Sequence, residues 1–155
     1  MKIIFSTKDQ DQAPKEFLRV HLTEGARGSK KFVREGVGKN ATEILELGAG
    51  KGKEMNLRKF IVLCRSIVQS AKQEKYKKIA IQFDKTPELF KNLQKISPEE
   101  ISKIAAENFE MANFEFTTFK TKPKDGWNVV EEILICGKSS RAIEAFAKKG
   151  QQIGM

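Results

Sequence analysis

Apolar positions recur along this chain at two spacings, alternate residues in some stretches and every third or fourth in others. That alternation lays out the elements. Residues 2–6 (KIIFS) predict a short strand, and 43–47 (EILEL) predict another that runs into the glycine-rich GAGKGK. Residues 8–42 are polar and weakly periodic; they predict one or two edge strands, with Phe17, Leu18, Val20 and Leu22 the best candidate. From Asn56 onward the spacing turns helical, with Leu57, Phe60, Ile61, Cys64, Ile67, Val68 and Ala71 on one face and Lys and Arg on the other. Asn56 is placed to cap that helix. KIAIQF (78–83) predicts a strand, and a short helix or turn follows around Pro87–Leu93.

A second strong helix starts at Ser97, with Pro98 in the first turn and Glu100 completing a capping box. Ile101, Ile104, Ala105, Met111 and Ala112 form its expected buried stripe. The stretch 114–127 is extended and then turns at Asp125-Gly126. EEILICG (131–137) is a buried strand, and 139–155 a helix with Ile143, Phe146 and Ala147 on one face. Strands alternating with helices at this spacing predict an α/β domain, a three-layer sandwich around a mostly parallel central sheet.

Composition narrows the class. The 155 residues suit a single domain spanning 1–155, and 39 % apolar residues exclude a disordered chain. No apolar run approaches the roughly 20 residues that cross a bilayer, so no membrane partner is expected. Two cysteines in a lysine-rich chain fit a reducing, cytoplasmic setting. The net charge of +9 is unevenly placed: residues 1–96 hold 21 basic and 11 acidic side chains, residues 97–155 hold 8 and 9. A basic surface of that kind attracts phosphate backbones or acidic partners. The basic segments offer few base-stacking aromatics beyond Phe32 and Tyr76, so nucleic-acid binding through residues 1–96 is possible rather than indicated.

Two strings and a few single residues could carry chemistry. Glu46-Leu47-Gly48-Ala49-Gly50-Lys51-Gly52 is what a methyltransferase places beneath S-adenosylmethionine, since glycines let the backbone approach the cofactor. The second acid such a unit needs, about 20 residues on, is missing: Lys72 stands there, and Asp84 comes 32 residues after Gly52. Gly137-Lys138-Ser139-Ser140 supplies the end of a phosphate loop, but Glu132 stands where its first glycine belongs. His21 is the only histidine and has no ligand-spaced partner, while Cys64 and Cys136 fall at core positions. Glu99/Glu100 and Glu131/Glu132 mark a helix start and a strand entry. Residue chemistry alone assigns no catalytic, cofactor-binding or metal-ligating residue.

Read in order, residues 43–155 resemble the amino-terminal domain of the leucyl (cytosol) aminopeptidase family. LELGAGKGKEMNLRKFIVLCRSIVQSAKQEKYKKIAI (45–81) is similar to the family's strand, Gly-x-Gly turn, long helix and strand. IAAENFEMANFEFTTFK (104–120) resembles its "E-G-x-x-L-A-x-Y-x-F-x-x-Y-K" helix, through Glu107, Asn108, Met111, Ala112, Phe114, Phe116, Phe119 and Lys120. Asn108 stands for the usual glycine and phenylalanines for the tyrosines. The terminal strand and the helix ending KKGQQIGM complete the match, while residues 8–42 match only in general character.

The resemblance implies a macro-domain-like fold. It implies a non-catalytic domain for assembly or partner interaction, in a parent metallopeptidase that releases amino-terminal residues from peptides. The family's two divalent metal ions, Mn or Zn, and its ligands and catalytic Lys and Arg belong to a carboxy-terminal domain expected just after Met155. None of them carries onto this chain, and no cofactor is expected in it. The implied partners are the catalytic domain of the same protein and hexamer neighbours. Some bacterial members contact DNA through this domain. The alternatives are a basic nucleic-acid-binding module, whose binding would weaken steeply with salt, and a methyltransferase fragment. A macro-like fold also raises ADP-ribose binding, by analogy alone.

Overall fold

The period-two pattern of the strands becomes a six-stranded sheet in the computed structural model, which describes residues 1–115 and 120–155. The strands are β1 (Lys2–Ser6), β2 (Leu18–Thr23), β3 (Lys30–Glu35), β4 (Thr42–Gly48), β5 (Lys78–Ile81) and β6 (Glu132–Cys136). Their spatial order is β1-β6-β5-β2-β4-β3, parallel throughout except for β3, which runs antiparallel to β4 at one edge. The helices are α1 (Leu57–Gln73), α2 (Pro98–Asn113) and α3 (Arg141–Gly154). Short 3-10 turns fill the loops, the longest being Pro87–Leu93.

The direction of the crossovers dictates where the helices go. From β4 through α1 to β5, and from β5 through α2 to β6, the chain moves the same way across the sheet. The right-handed rule for parallel crossovers then puts both helices on one face. The link from β1 to β2 moves the opposite way and must cross the other face. Packing agrees. Leu18, Val20, Leu22, Leu45, Leu47, Ile79, Ile81 and Ile133 join Phe60, Ile67, Val68, Ala105 and Phe109 in the main core. On the opposite face Ala80 packs with Ala13, Phe17 and Leu134. The three layers are therefore unequal: a thick helical layer, the sheet, and a thin cover from residues 9–17.

α1 keeps its predicted span. The Asn56 side chain accepts from the Lys59 amide, and Phe60, Leu63, Cys64, Ile67, Val68 and Ala71 are buried. Burying a large apolar side chain contributes about 1.5–3 kcal/mol each. The helix ends on Lys75 at φ 63, where a glycine is usual, with Tyr76 N–H donating to Ala71. In α2 the Ser97 hydroxyl accepts from the Glu100 amide as predicted. Its stripe differs from the expectation: Phe109 and Ala106 are fully buried, whereas Met111 is exposed. Residue 109 lies one turn beyond the buried Ala105, while 111 has rotated off that face.

One strand was misplaced by its composition. β2 is a central strand between β5 and β4, where an edge strand was expected. Arg19 and His21 alternate with its buried leucines and valine, and they point to the thinly covered face, which accepts polar side chains. β3 is the edge, and its lysines and arginine suit one. Residues 116–119 of the extended 114–127 stretch, including Phe116 and Phe119, lie outside the described residues. The turn at Asp125-Gly126 forms, with Gly126 N–H donating to Pro123.

Candidate functional site

In a sheet of this kind ligands sit beyond the carboxyl ends of the parallel strands. Five loops meet along that rim here, following Ser6, Thr23, Gly48, Ile81 and Cys136. The glycine-rich loop after β4 lies beside the turn after β2. Its amides are largely spent on that neighbour: Ala49 N–H donates to Thr23 at 2.8 Å, Gly50 to Gly25 at 3.0 Å, and Gly48 to Ser29 at 2.8 Å. Gly52 N–H donates to the Glu24 carboxylate at 3.3 Å. Gly28, at φ 83, donates back to Gly48, forming a bulge that only a residue tolerant of the left-handed region enters easily. A side chain on Gly48 would run into the Ala26 carbonyl, and one on Gly52 into that of Glu88. The glycines thus serve close contact between chain segments, and the methyltransferase reading loses its cofactor cradle.

Asp84, the acid after β5, is likewise occupied. It accepts from Gln82 Nε2 at 2.8 Å and from the Lys138 amide at 2.9 Å, pinning the loop after β5 to the loop after β6. The Gly137-Lys138-Ser139-Ser140 string forms no phosphate loop; the Ser140 hydroxyl caps α3 by accepting from Ile143 N–H. At the other end of the rim, Lys85 pairs with Asp9 at 2.9 Å and Asp11 at 2.6 Å. Asp9 is held below the usual carboxylate range by the Asp11 amide and by Lys85, and Asp11 by Lys85. Burial pulls the Lys85 ammonium down, but the two carboxylates outweigh it and leave it raised.

His21 Nε2 stands 3.4 Å from Asp11, a partner that sequence spacing did not reveal because the link between β1 and β2 brings it there. Among the described residues no three His, Cys, Asp or Glu side chains gather to hold a metal ion. Cys64 and Cys136 are buried and free, and burial pushes both thiols up, Cys136 with help from Asp9 and Asp84.

Several cavities open along this rim and its flank, three of them larger than the rest. One of 400 Å³ lies between the turn after β2 and the glycine-rich loop, lined by Arg27, Lys51, Lys59, Glu24 and Glu54 among others. A second, of 290 Å³, is bordered by Gln10, His21, Glu46, Lys85 and Thr86. The third, 420 Å³ and apolar, is walled by Phe60, Phe83, Phe90, Leu93 and Ile101.

Two buried side-chain amides make contacts that no local sequence signal reports. Asn108 Oδ1 accepts from Arg65 Nε at 2.8 Å while its Nδ2 donates to the Ile104 carbonyl, so it ties α2 to α1. Asn113 donates to the Val130 carbonyl at 2.8 Å and accepts from the Val130 amide at 2.7 Å. It thereby anchors the chain returning to β6.

The model of the cytosol aminopeptidase family's N-terminal domain matches residues 9–123. Among solved structures, a tomato leucine aminopeptidase mutant, K354E, superposes with a TM-score of 0.71 at 16 % identity, over 97 % of this chain and 35 % of that one. The bottromycin maturation enzyme BotP matches in two structures. In complex with Mn it gives a TM-score of 0.55 at 11 % identity, over 91 % of this chain and 30 % of that one. Its other structure gives 0.54 at 11 %, over 88 % and 30 %. At these identities the likeness is one of fold. The chain spans about a third of the length of each. No curated protein matches the sequence.

Proposed function

The chain belongs to the cytosol aminopeptidase family, whose N-terminal domain it matches, and from that premise we propose that it is a non-catalytic module of a longer cytoplasmic metallo-aminopeptidase. Its role is assembly or partner contact. The observation that carries this is the family match over residues 9–123, a stretch that takes in β2 to β5, α1 and α2. The residues fit the role. The acids and glycines at the carboxyl rim are engaged in holding loops together, and no described cluster suits a metal ion. The two divalent ions of the parent enzyme, Mn or Zn, have no fitting cluster among the described residues of this chain and are assigned to a catalytic domain. The partners in this reading are that catalytic domain and the neighbouring subunits of a hexamer.

Two measurements test it. The chain supplied with Mn or Zn should not turn over leucine p-nitroanilide; enzyme-like rates would overturn the non-catalytic assignment. Deleting the domain from the parent enzyme should change its sedimentation, and an unaltered hexamer would remove the assembly role. A second reading is favoured by the basic edge of the sheet: Lys30 and Arg34 share one face of β3 and are exposed, and Lys31 is exposed on the other. Nucleic acid bound there would be released steeply as salt rises, and absence of binding at low salt would dismiss it.

A further inference from the structure

We propose that the 400 Å³ cavity between the turn after β2 and the glycine-rich loop is a binding site for a small phosphate monoester. This is independent of the assembly reading. The cavity lies at the carboxyl ends of two adjacent parallel strands, β2 and β4, the position at which α/β sheets take ligands. Its volume falls within the range of small-molecule sites, roughly 300–1,000 Å³.

Donors dominate its lining. Arg27, Lys51 and Lys59 border it, and none of the three forms an ion pair among the described residues. In the same two loops the amides of Ala26, Arg27 and Lys51 have no acceptor among the described residues, although their neighbours Gly48, Ala49, Gly50 and Gly52 are all engaged. Of the two carboxylates present, Glu24 is turned onto the Gly52 amide, leaving Glu54. Such a set selects an oxyanion. A phosphate monoester, with three oxygens and nearly two charges, uses more of these donors than a carboxylate does. Arg27, Ala49 and Lys59 also border a 110 Å³ notch lined by Leu47, Val62 and Leu63, which has room for a small apolar part of the same molecule.

The test is a titration of the 155-residue chain at low ionic strength, followed by amide shifts and by calorimetry. The probes are inorganic phosphate, AMP, adenosine and citrate. Phosphate and AMP should saturate below about 10 mM, with shifts centred on residues 24–28 and 49–54, and adenosine should do nothing. AMP binding more tightly than phosphate supports a monoester ligand; equal binding, in which the organic part adds nothing, would overturn the monoester assignment in favour of free phosphate. Arg27→Gln, at an exposed position, and Lys59→Gln, at a half-buried one, should each weaken binding about tenfold or more, while Lys148→Gln on α3 leaves it unchanged. No saturable binding, citrate binding as tightly as phosphate, or binding undiminished in the Arg27→Gln/Lys59→Gln double variant would overturn the proposal. Thermal melts of each variant verify that it is folded.

Discussion

Replacing Asn113 tests how the structure closes the long return from α2 to β6. Val130 is 1 % exposed, and both its amide and its carbonyl are satisfied by the Asn113 side chain. Asn113→Ala leaves the two backbone groups without partners, at about 1–3 kcal/mol each when no water replaces the lost bonds. We expect a loss of about 3 kcal/mol. For a domain of this size that lowers the melting temperature by about 6–12 °C, at roughly 2–4 °C per kcal/mol. Asn113→Leu separates hydrogen bonding from packing: it restores volume yet should be as harmful as alanine. Asn113→Asp adds a pH signature. A protonated aspartate donates and accepts as the amide does, whereas the ionised form repels the Val130 carbonyl. Its folded pKa is therefore raised, so stability is retained below the unfolded value near 3.9 and lost as pH rises through the folded one. Urea melts across pH provide the assay. Alanine and leucine variants within about 0.5 kcal/mol of the parent would refute the reasoning, since that is the scatter of ordinary surface changes.

Gly150→Ala should destabilise by about 1–3 kcal/mol, although alanine is the better helix former. Gly150 is buried against the Lys103 backbone of α2, and Gly154 one turn on meets Glu107, so an added methyl forces α3 off α2; a melt at or above that of the parent would contradict this. The Lys85 cluster predicts a pH profile. Asp9 and Asp11 have lowered pKa values, so their contribution is present above about 3.8 and lost as pH falls through the folded values. Lys85 is raised, so its contribution is present below 10.5 and lost as pH rises through its folded value. Urea midpoints of Lys85→Met should lose the alkaline slope and the part of the acid slope that Lys85 supplies, while the part that the Asp11 amide supplies through Asp9 remains; parallel profiles for parent and variant would exclude Lys85 as their source.

The sequence revealed elements whose neighbours are local and hid those whose neighbours are distant. α1 was legible because a 3.6-residue apolar stripe and an Asn cap are written within one stretch of chain. β1, β4, β5 and β6 were legible because apolar runs bounded by glycine or charge have few other readings. β2 was misjudged as an edge because Arg19 and His21 dilute its apolar pattern. Those residues lie on a face that only residues 9–17 cover, and no local signal reports how thick a covering layer is. The same limit applies to Asn113, whose partner Val130 is 17 residues away across an extended stretch.

The glycine-rich loop carries that distinction to the candidate site. Its composition suggested a cofactor cradle, which it is not. Gly48, Ala49, Gly50 and Gly52 are fastened to the neighbouring turn and its Glu24, and Gly48 and Gly52 are glycine because other backbone passes there. Between those fastened positions the amides of Lys51, Ala26 and Arg27 have no acceptor among the described residues and lie in the loops that carry three cations. Binding capacity in this domain therefore rests on the residues between the motif glycines rather than on the glycines themselves. Arg27→Gln should accordingly change ligand binding with little change in stability, whereas Gly48→Ala should change stability first.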